Sequence, residues 1–138
     1  MGTGKTTIGR ELAKVMGRKF LDTDHVLEER FGKTVNEIFA AEGEVVFRSA
    51  EQALSLELAA SENKVVATGG GTVVDPVNFE AFAKSGLLLR LYTREGNLIG
   101  RLQRTAKRPL LLGESPEEVT EKIKRLMAER EAVYSRVN

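Results

Sequence analysis

The apolar positions of this chain recur with a period that changes from block to block, and the changes mark its elements. Ile8, Leu12, Ala13, Val15 and Met16 stand at helical spacing directly after a glycine-rich start, and Gly17 closes the run, so the spacing predicts a helix there. Phe20 and Leu21 form a short apolar pair before Asp22-Thr23-Asp24, which predicts a short strand ending at the aspartates. Val26, Leu27 and Phe31 mark a brief helix stopped by Gly32. A helical turn or two is expected over 36–41, before Gly43, and a long helix over 44–60. Residues 64–68 read as a buried strand broken at once by Gly69-Gly70-Gly71. Residues 76–83 predict a helix, 87–92 a second clear strand and 95–103 another helix. Short apolar strands alternating with helices predict an α/β protein whose parallel sheet is covered by helices on both faces.

From Arg104 to Glu114 the pattern fails. Arg104, Lys107 and Arg108 lie close together, Pro109 follows, and Leu110-Leu111-Leu112-Gly113 completes what reads as a mobile loop. Ser115-Pro116-Glu117-Glu118 then opens a helix, with Ser115 as N-cap, Pro116 at the first helical position and Glu118 placed for a capping box. That helix is expected to run to the end of the chain. Its apolar stripe is Val119, Ile123, Leu126, Met127, Val133 and Tyr134, and Arg130 falls within it.

Composition narrows the class. At 138 residues, 41% hydrophobic and 30% charged, the chain fits a single globular domain over 1–138 that can build a core without staples. It has no cysteine and one histidine, which excludes a disulfide framework, a thiolate nucleophile and most zinc centres. A net charge of +1 gives no argument for nucleic acid or an anionic membrane as partner, and no apolar run reaches the roughly 18 residues of a membrane span. The expectation is a cytoplasmic protein.

Candidate chemistry begins at the first residues. Gly2-Thr3-Gly4-Lys5-Thr6-Thr7 matches the last part of the Walker A pattern, in which glycines turn backbone N–H groups toward phosphate at a helix N-terminus. In such a loop Lys5 places a charge on the β- and γ-phosphates, the Thr6 hydroxyl binds Mg²⁺ and Thr7 reaches the α-phosphate. The complete pattern has a further glycine and a buried strand upstream, where this chain has only Met1. The expectation is therefore a chain lacking its first strand, which should be the central one of the sheet. Asp22 and Asp24 alternate at a strand end, where both carboxylates can leave the C-terminal edge of a sheet; the other reading is two surface aspartates capping the next helix.

Taken together, Gly2-x-Gly4-Lys5-Thr6-Thr7, Asp22-Thr23-Asp24, Phe47-Arg48-x-x-Glu51, Gly69-Gly70-Gly71, Arg108-Pro109-Leu110-Leu111 and Arg130-x-x-x-Tyr134 resemble, in order and approximate spacing, the shikimate kinases. The resemblance covers nearly the whole chain and implies a family member truncated at both ends, without its first strand and C-terminal segment. It implies a P-loop three-layer α/β/α kinase domain with a substrate-binding helical part at about 23–60 and a lid at about 104–115. The implied reaction moves the γ-phosphate of MgATP to the 3-hydroxyl of shikimate, in the route to chorismate and the aromatic amino acids. By the same resemblance Asp22 would help hold Mg²⁺, Asp24 would orient the reacting hydroxyl or take its proton, and Arg48 and Arg130 would grip the substrate carboxylate. Gly69, Gly70 and Gly71 would close the floor, and Arg108 would swing in on the lid. Arg101 and Arg104 compete for the place against adenine.

Residue chemistry agrees at several points. An arginine in an apolar stripe needs an anion, either a substrate acid or an internal carboxylate for Arg130. Glu44 and Glu51 flank Arg48 at i−4 and i+3, either orienting its guanidinium or forming an ordinary exposed ion pair. Three glycines after a strand let a small ligand approach the backbone closely. A late-arriving lid cation answers the charge that spreads over the γ-phosphate oxygens, while Lys107 is expected to be solvated. His25 is expected at the surface, and Phe31, Phe39 and Phe47 in the core or the pocket wall. The alternatives are a gluconate-kinase-like enzyme of the same build and a non-catalytic nucleotide-binding fragment. Apart from ATP and its small-molecule substrate no partner is expected: the chain would be monomeric if intact, and prone to associate if the central strand is missing.

Overall fold

In the computed structural model, which describes residues 3–93 and 115–137, the elements follow the changes of period in the sequence. Residues 4–88 make up one compact unit, and the other described residues belong to a second. In the first unit, helix α1 (Lys5–Met16) ends at Gly17, strand β1 (Lys19–Asp22) follows, and α2 (Thr23–Phe31) begins with Asp22 as its N-cap. Then come α3 (Val35–Ala59), β2 (Lys64–Ala67), a 3₁₀ turn (Thr72–Val74) and α4 (Pro76–Ser85). Asp75 caps α4 by accepting from the N–H groups of Val77 and Asn78.

Strands β1 and β2 pair in parallel, with Lys19 opposite Lys64 and Asp22 opposite Ala67. A parallel pair needs a long crossover, which α2 and α3 supply. Because Asp22 and Ala67 share a register position, the Asp22–Asp24 segment and the glycine loop leave the sheet side by side at its C-terminal edge. In open α/β sheets this is where ligands bind.

Helix α1 packs across both strands, and α3 packs against α2 and α4. Gly9 makes the first contact possible, since a Cβ there would lie 2.8 Å from the Phe20 ring. The core is built around α3 from Leu27, Ile38, Phe47, Leu54, Leu58, Phe79 and Phe82, all buried. Thr34 and Glu37 start α3 with a capping box, and the helix bends at Gly43, where φ is 84° and ψ 166°. That backbone is open to glycine and strained for any L-residue. The sequence boundary between 36–41 and 44–60 is this bend.

Two strand expectations change. Strand β2 is half-buried, with Ala67 its one buried residue, because the described sheet has two strands and gives Val65 and Val66 little cover. Residues 87–92 form no strand: among the described residues they have no ladder partner, and Leu87, Leu89 and Tyr92 are exposed. An apolar run supplies surface to bury, but a strand exists only where a neighbour takes its backbone hydrogen bonds.

The second unit contains α5 (Pro116–Tyr134), opened by the expected capping box. Ser115 Oγ accepts from the Glu118 N–H at 3.3 Å, and the Glu118 carboxylate accepts from the Ser115 N–H at 2.7 Å. The helix stops at Tyr134, short of the chain end. Along its stripe Ile123 is buried, Leu126, Arg130, Val133 and Tyr134 are half-buried, and Met127 is exposed at the margin. The helix expected over 95–103, the loop over 104–114, and Arg101, Arg104, Lys107 and Arg108 lie outside the described residues. Among the described residues no helix is long and apolar enough to cross a membrane.

Ile38 is fully buried, so Ile38→Ala should cost about 2–5 kcal/mol in urea unfolding, whereas Val45→Ala, at an exposed position, should stay within about 0.5 kcal/mol.

Candidate active site

The N-terminus of α1 is built to receive an anion. Gly4 sits in the left-handed region at φ 90°, no side chain caps the helix, and no acid stands in its first turn. The first N–H groups of a helix have no intrahelical acceptor and carry the positive end of the helix dipole. Lys5 is half-buried there, and the Thr6 and Thr7 side chains are exposed. Gly2 lies outside the described residues, and Thr3 is half-buried in the second unit.

Asp22 divides its two oxygens between two tasks. Oδ1 accepts from the Asp24 N–H at 3.1 Å and caps α2, while Oδ2 accepts from the Thr6 hydroxyl at 2.7 Å. One oxygen thus caps α2, as one of the two sequence readings has it, while the other meets the first turn of α1. Thr23, between the two aspartates, is buried and its Oγ1 accepts from the Gly69 N–H at 2.9 Å, which fixes the start of the glycine loop against α2.

The glycines are required by the protein's own side chains. A Cβ on Gly69 would lie 2.7 Å from Asp24 Oδ1 and 2.9 Å from Thr72 Oγ1, and one on Gly71 would lie 3.0 Å from Arg48 Nη1. The expected argument, room for a ligand near the backbone, is thus refined: at Gly69 and Gly71 the room is used by Asp24 and Arg48. This loop brings the two residues to one place.

Arg48 is held on two sides. Its Nη1 donates to Glu51 Oε2 at 2.7 Å, and Nε and Nη2 donate to Glu44 Oε1 at 3.3 Å each. Glu44 is exposed, so its contact is the ordinary surface pair, worth little. Glu51 is only 2% exposed, and its other oxygen accepts from the Thr72 hydroxyl at 2.6 Å. Asn78 in turn donates to the Thr72 carbonyl at 3.0 Å. Phe39 and Phe47 pack with ring centres 4.7 Å apart, and the guanidinium lies 5.9 Å and 5.5 Å from their centres. Phe47 is thus core and wall at once. Burial pulls the Arg48 pKa down, but the hydrogen bonds and charges of Glu51 and then Glu44 outweigh it and leave it raised. The guanidinium stays cationic and oriented, as an anion site requires.

In the second unit Arg130 is half-buried on α5, and among the described residues it makes no ion pair, so an internal carboxylate is not its partner there. His25 is exposed beside Glu28 and Glu29, as expected.

The sequence profile of shikimate kinases matches this chain over residues 1–138. The chain belongs to the shikimate kinase family. Members are ATP-dependent kinases that act on an alcohol group, through a P-loop α/β fold. A shikimate kinase of Pelotomaculum thermopropionicum is 43% identical over 134 residues, which is 97% of this chain and 76% of that protein. One from Acinetobacter baumannii strain AYE is 42% identical over 137 residues, 99% of this chain and 74% of its own. The solved structure of the A. baumannii shikimate kinase in complex with shikimate superposes with a TM-score of 0.91 at 40% identity, covering 99% of this chain and 74% of that one. The enzyme from Bacteroides thetaiotaomicron gives 0.91 at 37% identity, covering 100% of this chain and 79% of its own.

Against the shikimate kinase pattern, the described structure joins Thr6, Asp22, Asp24, Gly69, Gly71 and Arg48 through contiguous contacts. Arg130 stands in the other unit, and Arg108 lies outside the described residues. Thr23, Thr72 and Asn78 were missed by sequence reasoning. Thr23 lies inside a quoted motif and Thr72 directly follows one, but a hydroxyl's partner depends on which distant segment arrives beside it. Thr72→Val leaves Glu51 Oε1 without its donor, so urea unfolding should show a loss of about 1–3 kcal/mol, and Thr72→Ser should recover most of it.

Proposed function

We propose that this chain transfers the γ-phosphate of ATP to the 3-hydroxyl of shikimate, and that the α1 terminus, β1, α3 and the glycine loop supply the residues for it. The observation that carries the assignment is the hydrogen bond from Thr6 to Asp22, two residues before Asp24. It joins the start of α1 to Asp22, whose other oxygen accepts from the backbone N–H of Asp24, the residue that would meet the alcohol.

Gly2, Thr3 and Gly4 shape the phosphate loop, Lys5 neutralises the β- and γ-phosphates, and the Thr7 hydroxyl reaches the α-phosphate. A hydroxyl and a carboxylate oxygen 2.7 Å apart are the hard donors Mg²⁺ prefers, so Thr6, with Asp22 through water, would hold the ion. Bound there, Mg²⁺ supplies charge neutralisation on the phosphate oxygens. Asp24 accepts the hydrogen bond of the 3-hydroxyl, orients its oxygen toward phosphorus and stands ready for its proton. As the new O–P bond forms, the bond from phosphorus to the bridging oxygen breaks, and ADP leaves with the electron pair. Arg48 and Arg130 hold the substrate carboxylate, and Gly70 offers it the backbone. Arg108 completes the charge around the transferring group in a lid at about 104–115. The chain acts as one kinase domain, with a substrate-binding helical part at about 23–60. It works on water-soluble small molecules in the cytoplasm.

Purified chain supplied with MgATP should release ADP only when shikimate is present, with gluconate giving little, and excess EDTA should abolish the release. Faster turnover of gluconate would replace the substrate, and no release with either acid would favour a nucleotide-binding fragment without activity. Asp24→Asn should lower kcat by about 10²–10⁴-fold. Arg48→Ala and Arg130→Ala should each raise KM for shikimate about 10-fold to 100-fold, as the loss of a charged hydrogen bond implies. Unchanged KM in both would overturn the carboxylate assignment.

A further inference from the structure

The run of residues 87–92 is apolar except for Arg90 and the Tyr92 hydroxyl, and the sequence gives no reason for a cation there. The structure does. Arg90 donates from Nη1 to Glu131 Oε1 at 3.0 Å and from Nη2 to Oε2 at 2.6 Å, so both oxygens of that carboxylate are taken. Its side chain is 14% exposed, and its guanidinium lies 4.1 Å from the ring centre of Tyr92 and 5.5 Å from that of Tyr134. A planar cation close to two rings and gripped by two parallel hydrogen bonds has a set orientation. The hydrogen bonds to Glu131 hold the Arg90 pKa above its usual value, and those from Arg90 hold the Glu131 carboxyl below the usual carboxylate range. The pair stays ionised.

Glu131 is the residue after Arg130. Neighbouring side chains on a helix point about 100° apart, so the two do not face each other, but they leave Cα atoms about 3.8 Å apart, and a Debye length is about 10 Å. A bare carboxylate at that distance would repel an approaching substrate carboxylate and weaken the hold of Arg130 on it. We propose that Arg90 is a positioning residue for substrate binding: by neutralising Glu131 it leaves the field around Arg130 positive for the acid it receives. This inference rests on the reading of Arg130 as a carboxylate grip.

Equilibrium binding of shikimate and of ATP, measured by calorimetry on the whole chain, tests it without requiring turnover. The variants are Arg90→Met, Glu131→Gln, the two combined, and Arg130→Ala, each checked for fold by circular dichroism. Arg90→Met keeps a long stem close to the rings and removes the charge. It should weaken shikimate about threefold to tenfold, leave ATP within about twofold, and lose most of the defect in 0.5 M salt. Adding Glu131→Gln removes the repelling charge and should restore shikimate affinity to within about twofold of the parent chain, a rescue that a purely structural pair would not give. Unchanged shikimate affinity in Arg90→Met, or a double variant as weak as the single one, overturns the proposal. If Arg90→Met does not fold, Glu131→Gln decides alone: affinity equal to or above the parent supports the proposal, and a several-fold loss overturns it. Arg130→Ala separates the two readings. If it binds shikimate as the parent does, or if the parent binds none, the carboxylate grip fails and the proposal with it. Weakened binding there beside unchanged binding in Arg90→Met refutes the role of Arg90 alone.

Discussion

A buried carboxylate without partners would cost several kcal/mol, and Glu51 avoids that cost by taking one donor from its own helix and one from the loop after β2. The same pair of bonds decides where Arg48 points and where the glycine loop can lie. Helix α3 and the Gly69–Thr72 segment are therefore docked through charge as well as through apolar packing, and the docking gives the guanidinium its direction. Asn78 extends the arrangement into α4 by holding the Thr72 carbonyl. Segments distant in sequence are thereby tied to one carboxylate.

The parallel register of β1 and β2 does the complementary work. With Asp22 opposite Ala67, two short connections leave the same edge, and neither has room to separate because Thr23 binds the Gly69 N–H. Asp22 then links that edge to the beginning of α1 through Thr6. The result is a line of polar contacts from the start of α1 to the arginine on α3. In the proposed function a kinase for a small acid uses both ends of that line, because the alcohol must be held close to the phosphate and the carboxylate kept away from it.

Much of this was legible in the chain, for physical reasons that differ from residue to residue. Glycines at 4, 17, 32 and 43 mark real helix ends or a bend, because each has a positive φ that L-residues avoid. The capping box at Ser115 and Glu118 is local chemistry and was readable as such; the equivalent box at Thr34 and Glu37 has the same signature and was passed over. Arg48 with Glu44 and Glu51 was readable from helical spacing, but spacing could not say that Glu51 is buried and Glu44 exposed. That difference comes from the loop that covers one of them. Residues 87–92 show the opposite failure. Their short apolar run is a strand signal, yet pairing is a property of two segments, and the pattern of one segment cannot supply the second. The arginine inside that run was passed over because its partner lies 41 residues away.

The bend at Gly43 has a consequence for recognition. Phe39 and Phe47 are eight residues apart, which in an uninterrupted helix would separate them by about 12 Å along the axis. Their rings are 4.7 Å apart, one from each side of the bend, and together they flank the Arg48 guanidinium. The aromatic support of a cation is thus set by a backbone angle several residues away. The geometry around this arginine therefore depends on a position that has no side chain of its own to offer it.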